Sequence, residues 1–201
     1  MIMFVKLCGL RTSADVAAAV DAGCDAVGFV FGPSPRRIDA ETARALVAGL
    51  PDSVLAVGVF GKVQIEQVAP LAEASGVGVI QLHGEYPPAA FDSLAPHRLW
   101  RATTLTPETE VRVGAFGEEV LLLDSPVAGS GRRWDLAGLA GARPQGHWLL
   151  AGGLTPDNVA RAIAEARPWG VDVSSGIESR RGVKDHGRMR EFVAAARETA
   201  A

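Results

Sequence analysis

Eight short runs rich in Val, Leu and Phe recur along the chain, separated by Ala-rich amphipathic stretches, and this alternation restricts the fold more than any other feature. The order reads as βα repeated end to end. Strands are predicted over 3–9, 25–31, 54–60, 77–83, 98–104, 119–125, 147–153 and 170–175. Between them lie helix patterns: "SADVAAAVDAG", with Ser13 as cap and Gly23 as stop; "DAETARALVAGL"; "VQIEQVAPLAEASG"; "PPAAFDSLAP"; and "TPDNVARAIAEA", with Thr155 as cap and Pro156 at the first helical position. "DHGRMREFVAAARE" closes the chain, and two weaker patterns follow strands five ("PETEVRVGAFG") and six ("DLAGLAG"). "CGLRTS" after the first strand cannot supply G-x-G-x-x-G, which disfavours a doubly wound nucleotide fold. The expected architecture is an α/β protein, a single (β/α)₈ TIM barrel over residues 1–201.

Composition narrows the partners. With 201 residues, 48% of them hydrophobic, the chain can bury one sizeable core. Its 20 basic and 23 acidic residues are dispersed and leave a net charge of −3, so nothing marks it for nucleic acid or a membrane surface. No apolar run approaches the roughly 20 residues of a membrane span. Two cysteines, Cys8 and Cys24, are too few for a disulfide framework, and "MIMFVKLCGL" lacks the basic region, long apolar region and cleavage site of a signal peptide. A cytoplasmic protein acting on a small molecule is the expectation, with a monomer as the expected state and a homodimer as the alternative.

In a barrel of this kind, reactive groups stand at the C-terminal ends of strands. Those ends carry Cys8-Gly9, Phe31-Gly32, Phe60-Gly61, His83-Gly84, Asp124-Ser125, Gly152-Gly153 and Ser174-Ser175-Gly176. Alternation sets Phe4, Lys6 and Cys8 on one face of strand one, and Val120, Leu122 and Asp124 on one face of strand six. "AGGLTPDNV" and "VDVSSGIE", after strands seven and eight, are where barrels commonly bind phosphate through backbone N–H groups. Gly152, Gly153 and Gly176 permit close approach there, and Ser174 and Ser175 add hydroxyls; the plainer alternative is that the glycines only form turns. Asp124 ends a strongly apolar run, a setting that suits a general acid or base but also a simple cap. Arg36, in the Pro-rich "GPSPRRID", could hold a carboxylate bidentately. Cys24 begins strand two, away from the reactive end, and reads as a buried structural thiol. Cys8 is open between packing and chemistry on its local sequence alone.

The blocks "KLCGL", "AVGFVF" with "SPRRI", "VGVF", "QLHG", "LLLDS", "AGSGRRWDL", "LAGGLTPDNV" and "VDVSSGIESRRGVKD" together resemble the phosphoribosylanthranilate isomerase family of tryptophan biosynthesis, in order and over nearly the whole chain. The resemblance implies a (β/α)₈ barrel that needs no metal or organic cofactor. It implies an Amadori rearrangement of phosphoribosylanthranilate to carboxyphenylamino-deoxyribulose phosphate. Asp124 is then the general acid, Cys8 the general base, and Arg36 the partner of the anthranilate carboxylate. Gly152, Gly153, Ser174, Ser175 and Gly176 fall in the phosphate blocks, and His83 in "QLHG" is a candidate substrate contact. The segment after Asp124 is shorter than the family pattern, has Ala128 where a second glycine often stands, and carries Arg132 and Arg133, whose roles are open. Arg37 beside Arg36 is a second arginine, although the S-x-R register favours Arg36.

Two alternatives are distinguishable. The sister isomerase of histidine biosynthesis would be expected to place aspartate at position 8 and a second phosphate loop in the first half of the chain. A non-catalytic sugar-phosphate-binding barrel would keep "AGGL" and "VSSG" without needing Cys8 or Asp124.

Overall fold

The computed structural model describes residues 2–124 and 143–198. Eight parallel strands close into a barrel in sequence order: β1 (Phe4–Cys8), β2 (Ala26–Val30), β3 (Leu55–Gly61), β4 (Val79–His83), β5 (Leu99–Thr104), β6 (Val120–Asp124), β7 (Trp148–Leu150) and β8 (Gly170–Val173), with β8 pairing back onto β1. Each lies within its predicted run except β3, which continues one residue further, to Gly61. Among the described residues, no helix is long and apolar enough to cross a membrane.

Strand alternation divides the apolar residues into two layers. One set, including Val27, Phe29, Leu82, Leu121, Leu123 and Val171, points outward and packs beneath the helices, and Cys24 belongs to it. The other, including Ala26, Val57, Val79, Trp100, Val120, Leu122 and Leu149, fills the barrel interior. Phe4 and Trp169 stack with centroids 4.4 Å apart, and His147 stacks on the other side of Trp169 at 4.3 Å, next to the N-terminal end of this interior.

Among the described residues the α-helices are α1 (Ser13–Asp21), α2 (Ala40–Val47), α3 (Ile65–Ser75), α4 (Pro88–Asp92), α5 (Val159–Ala166) and α6 (His186–Glu198). Two predicted caps are displaced. Thr12, not Ser13, caps α1, its hydroxyl accepting from the Asp15 amide at 3.1 Å. The α5 helix starts at Val159 with Asn158 before it, because Thr155 to Asn158 form a separate turn in which the Asn158 carboxamide accepts from the Thr155 amide at 2.8 Å and donates to the Gly153 carbonyl at 2.9 Å.

No helix follows β5. Unlike its apolar counterparts, this strand turns a cation outward, and Arg101 needs polar company when buried. It pairs with Glu118 at 2.8 Å, donates to the Glu110 carbonyl at 2.6 Å and lies 4.4 Å over the Phe116 ring. Those contacts hold 105–118 as turns against the barrel. The pattern around "DLAGLAG" lies outside the described residues. After β8 the chain makes a short 3-10 turn, Ser175–Ile177, and then a small antiparallel hairpin, β9 (Glu178–Arg180) with β10 (Val183–Lys184), that the sequence pattern did not reveal.

Candidate active site

The C-terminal ends of the strands surround one cavity of about 330 Å³. Cys8 from β1, Gln81 and His83 from β4, Asp124 from β6, Gly152 and Gly153 after β7, and Asp172, Ser174 and Ser175 from β8 and its loop all line it, and Arg36 reaches it from the loop after β2. Every candidate except Gly176 therefore borders the same space. Asp124 and His83 stand side by side on its wall, with Oδ2 and Nε2 3.9 Å apart.

Gly176 does a different job from its neighbours. A Cβ there would lie 1.8 Å from the Leu154 carbonyl oxygen, so the loops after β7 and β8 touch back to back and only glycine allows it. Gly152 and Gly153 adopt φ of 85° and 69°, the left-handed region that favours glycine, where the chain curls around the cavity.

Cys8 sits on the interior face two residues above Lys6, and both point towards Gly28 on β2. A side chain at Gly28 would place its Cβ 2.7 Å from Cys8 Sγ and 3.2 Å from Lys6 Nζ, so the absent side chain is what makes room for them. Burial pushes the Cys8 thiol above its ordinary value, opposed by the nearby cations Lys6 and Lys184. Cys24 is pushed up to about 12, first by burial and then by the Asp25 charge. Its place in the outer apolar layer makes it an inert thiol.

Arg36 is only half-buried, and its stem packs over Gly9, where a Cβ would meet Cδ at 2.6 Å. Glu178 grips its Nε at 2.6 Å and Nη2 at 2.9 Å, leaving the Nη1 end of the guanidinium outside that pair. Glu178 also accepts from the Gly182 amide at 3.0 Å and from Lys184 Nζ at 3.1 Å. Burial works to raise its pKa, but Arg36, Gly182 and Lys184 outweigh that and hold the carboxyl down at about 2. Arg37, by contrast, is exposed and does not line the cavity. Ala128, Arg132 and Arg133 lie outside the described residues.

Lys6, Gly28, Asp172, Glu178 and Lys184 are participants that the sequence reading did not assign. Two signals were available: "VKLCG" and "VDVSS" each bury a charge inside a strand, and a buried charge needs a partner. Among the described residues, no cluster of three His, Cys, Asp or Glu is arranged to hold a metal ion.

Over nearly its whole length the chain is similar to known proteins. A family model described as N-(5'phosphoribosyl)anthranilate (PRA) isomerase matches residues 5–195. An N-(5'-phosphoribosyl)anthranilate isomerase of Symbiobacterium thermophilum is 41% identical over 221 residues, covering 97% of this chain and 98% of that one. The crystal structure of TrpF from Jonesia denitrificans is 48% identical, covers 99% of this chain and 98% of its own, and superposes with a TM-score of 0.91. A phosphoribosyl anthranilate isomerase solved in complex with reduced 1-(o-carboxyphenylamino)-1-deoxyribulose 5-phosphate is 33% identical, with a TM-score of 0.83 and coverage of 98% and 100%. This chain belongs to the N-(5'-phosphoribosyl)anthranilate isomerase family.

Proposed function

We propose that the protein is a phosphoribosylanthranilate isomerase of tryptophan biosynthesis that works by general acid–base catalysis, with Asp124 as acid and Cys8 as base. The observation that carries this reading is that two strands set far apart around the barrel, β1 and β6, deliver a thiol and a carboxyl group to one cavity. Opening the ribose ring needs a proton on the ring oxygen, which Asp124 supplies. The carbon beside the resulting imine must then lose a proton, which Cys8 takes, and the enolamine so formed tautomerises to the ketone. Both steps are proton transfers, so no covalent bond to the sulfur is required.

The remaining liners fit the substrate's two anions. Arg36, oriented by Glu178, offers a guanidinium end to the anthranilate carboxylate. Gly152, Gly153, Ser174 and Ser175 line the part of the wall suited to the sugar phosphate, and Gly176 sets the spacing between the two loops. His83 is a contact to substrate beside Asp124. A reducing, cytoplasmic setting and a monomeric state complete the reading; the two free thiols support the first, and light scattering of the purified protein tests the second.

Purified protein should consume freshly prepared phosphoribosylanthranilate, followed by loss of anthranilate fluorescence, with chelator present. Cys8→Ser and Asp124→Asn should each lower kcat about 100-fold or more. Near wild-type rates in both variants would refute the assignment of acid and base. The aminoaldose substrate of the histidine pathway, run beside it, separates the sister isomerase, and inactivity on both substrates would leave only a sugar-phosphate-binding barrel.

A further inference from the structure

Lys6 is a fully buried lysine that the acid–base scheme leaves without a part to play. Removing an ammonium ion from water is expensive unless it is paired. The pairing is direct: Lys6 stands in register with Asp172 across the β1–β8 seam, and Nζ lies 2.6 Å from Oδ1. The ammonium and the Cys8 sulfur crowd the same point of β2, Nζ 3.2 Å and Sγ 2.7 Å from where a Gly28 Cβ would stand. The charges around the thiol come from four quarters: Lys6 on its own strand, Asp172 on β8, Lys184 on β10, and Arg36 on the loop folded over Gly9. Strand β2 contributes only the open space at Gly28, while Asp124 and His83 face it from across the cavity.

We propose that Lys6 is a positioning residue for Cys8: anchored by Asp172, it holds a fixed positive charge against the sulfur from inside the barrel, and the thiolate that takes the substrate's carbon proton forms against that charge. This rests on the reading of Cys8 as the base. The electrostatics have matching signs. Burial and Asp172 make the thiol harder to ionise, and Lys6 and Lys184 make it easier. Lys6 itself stays protonated: burial works against its charge, yet Asp172 and Cys8 raise its pKa above the ordinary lysine value. A lysine that served only to fill the barrel could be replaced by an apolar side chain without changing the thiol's acidity.

The test measures the ionisation of Cys8 from the pH dependence of its alkylation by iodoacetamide, resolved from Cys24 by peptide mass spectrometry, beside the pH profile of kcat/KM. Lys6→Met should reduce the thiolate fraction at a fixed pH by about tenfold or more, the effect of losing an opposite charge at contact distance. That variant strands Asp172, so the double variant Lys6→Met with Asp172→Asn removes both charges and leaves none buried alone. It should also shift Cys8 ionisation to higher pH than in the wild type, by less than the single variant. An unchanged Cys8 profile in the folded double variant overturns the proposal. Cys8 profiles that move as expected while Cys8→Ser keeps full kcat would uphold the charge relation yet refute the base assignment, so the two failures are told apart.

Discussion

Cys8 owes its setting to residues that have no side chain to offer. Gly28 opens the space beside its sulfur, and Gly9, at φ 78°, turns the chain away and lets the Arg36 stem pass. Gly28→Ala therefore drives a methyl group to 2.7 Å from the sulfur. Displacement of a reacting group by about 1 Å can cost on the order of 100-fold in rate. The expected outcome is a kcat loss of that order with KM little changed, read by steady-state kinetics, while the urea midpoint falls modestly. The two thiols should also separate chemically. Cys24, pushed up to about 12 and sealed in the outer layer, should resist iodoacetamide through pH 10, whereas Cys8, at the cavity wall, should react increasingly fast as pH rises past neutrality. Equal labelling of both at pH 9 would contradict these environments.

Among the described elements, the unit after β5 departs furthest from the repeat, because an outward-facing arginine takes the place of a helix. Glu118→Ala leaves Arg101 buried without its counter-charge, a loss of about 3 kcal/mol or more in unfolding free energy. A urea titration monitored by circular dichroism measures it; a change below about 1 kcal/mol would mean that the turns of 105–118 stand without the pair. This unit also marks how far sequence reading reaches. The eight strands were legible because buried parallel strands are nearly continuous apolar runs, and the mouth residues followed from strand ends. Cys8, Asp124 and Gly153 could be named on that logic. The partners of Lys6, Arg36 and Arg101 could not, since nothing local to "VKLCG" or "SPRRI" says that the counter-charges are Asp172 and Glu178. The hairpin of β9 and β10 escaped for a related reason: its pairs are too short to show an alternating pattern, and Glu178 and Lys184 are fixed by charge partners more than by apolar period.

Across the whole molecule, two separate sets of ion pairs lie around the reactive end of the barrel: Lys6 with Asp172 below, and Arg36 and Lys184 with Glu178 above. The acid sensitivity of the second set has a definite sign. Glu178 titrates at about 2 when folded, below its ordinary 4.5, so its contribution to stability is complete above pH 4.5 and disappears as pH falls towards about 2. Urea midpoints measured between pH 7 and pH 2 should fall through that window in the wild type. Glu178→Gln should start lower at pH 7 and lose less across it; parallel curves would contradict the charge role.

These pairs also tie together residues made at different times. Lys6 finds its counter-charge 166 positions later, and Arg36 finds its own 142 positions later. A chain emerging from the ribosome carries Lys6 and Arg36 almost from the start, yet neither meets its partner until the β8 segment and the hairpin have been synthesised. A chain that stops short of β8 therefore holds both cations without their counter-charges.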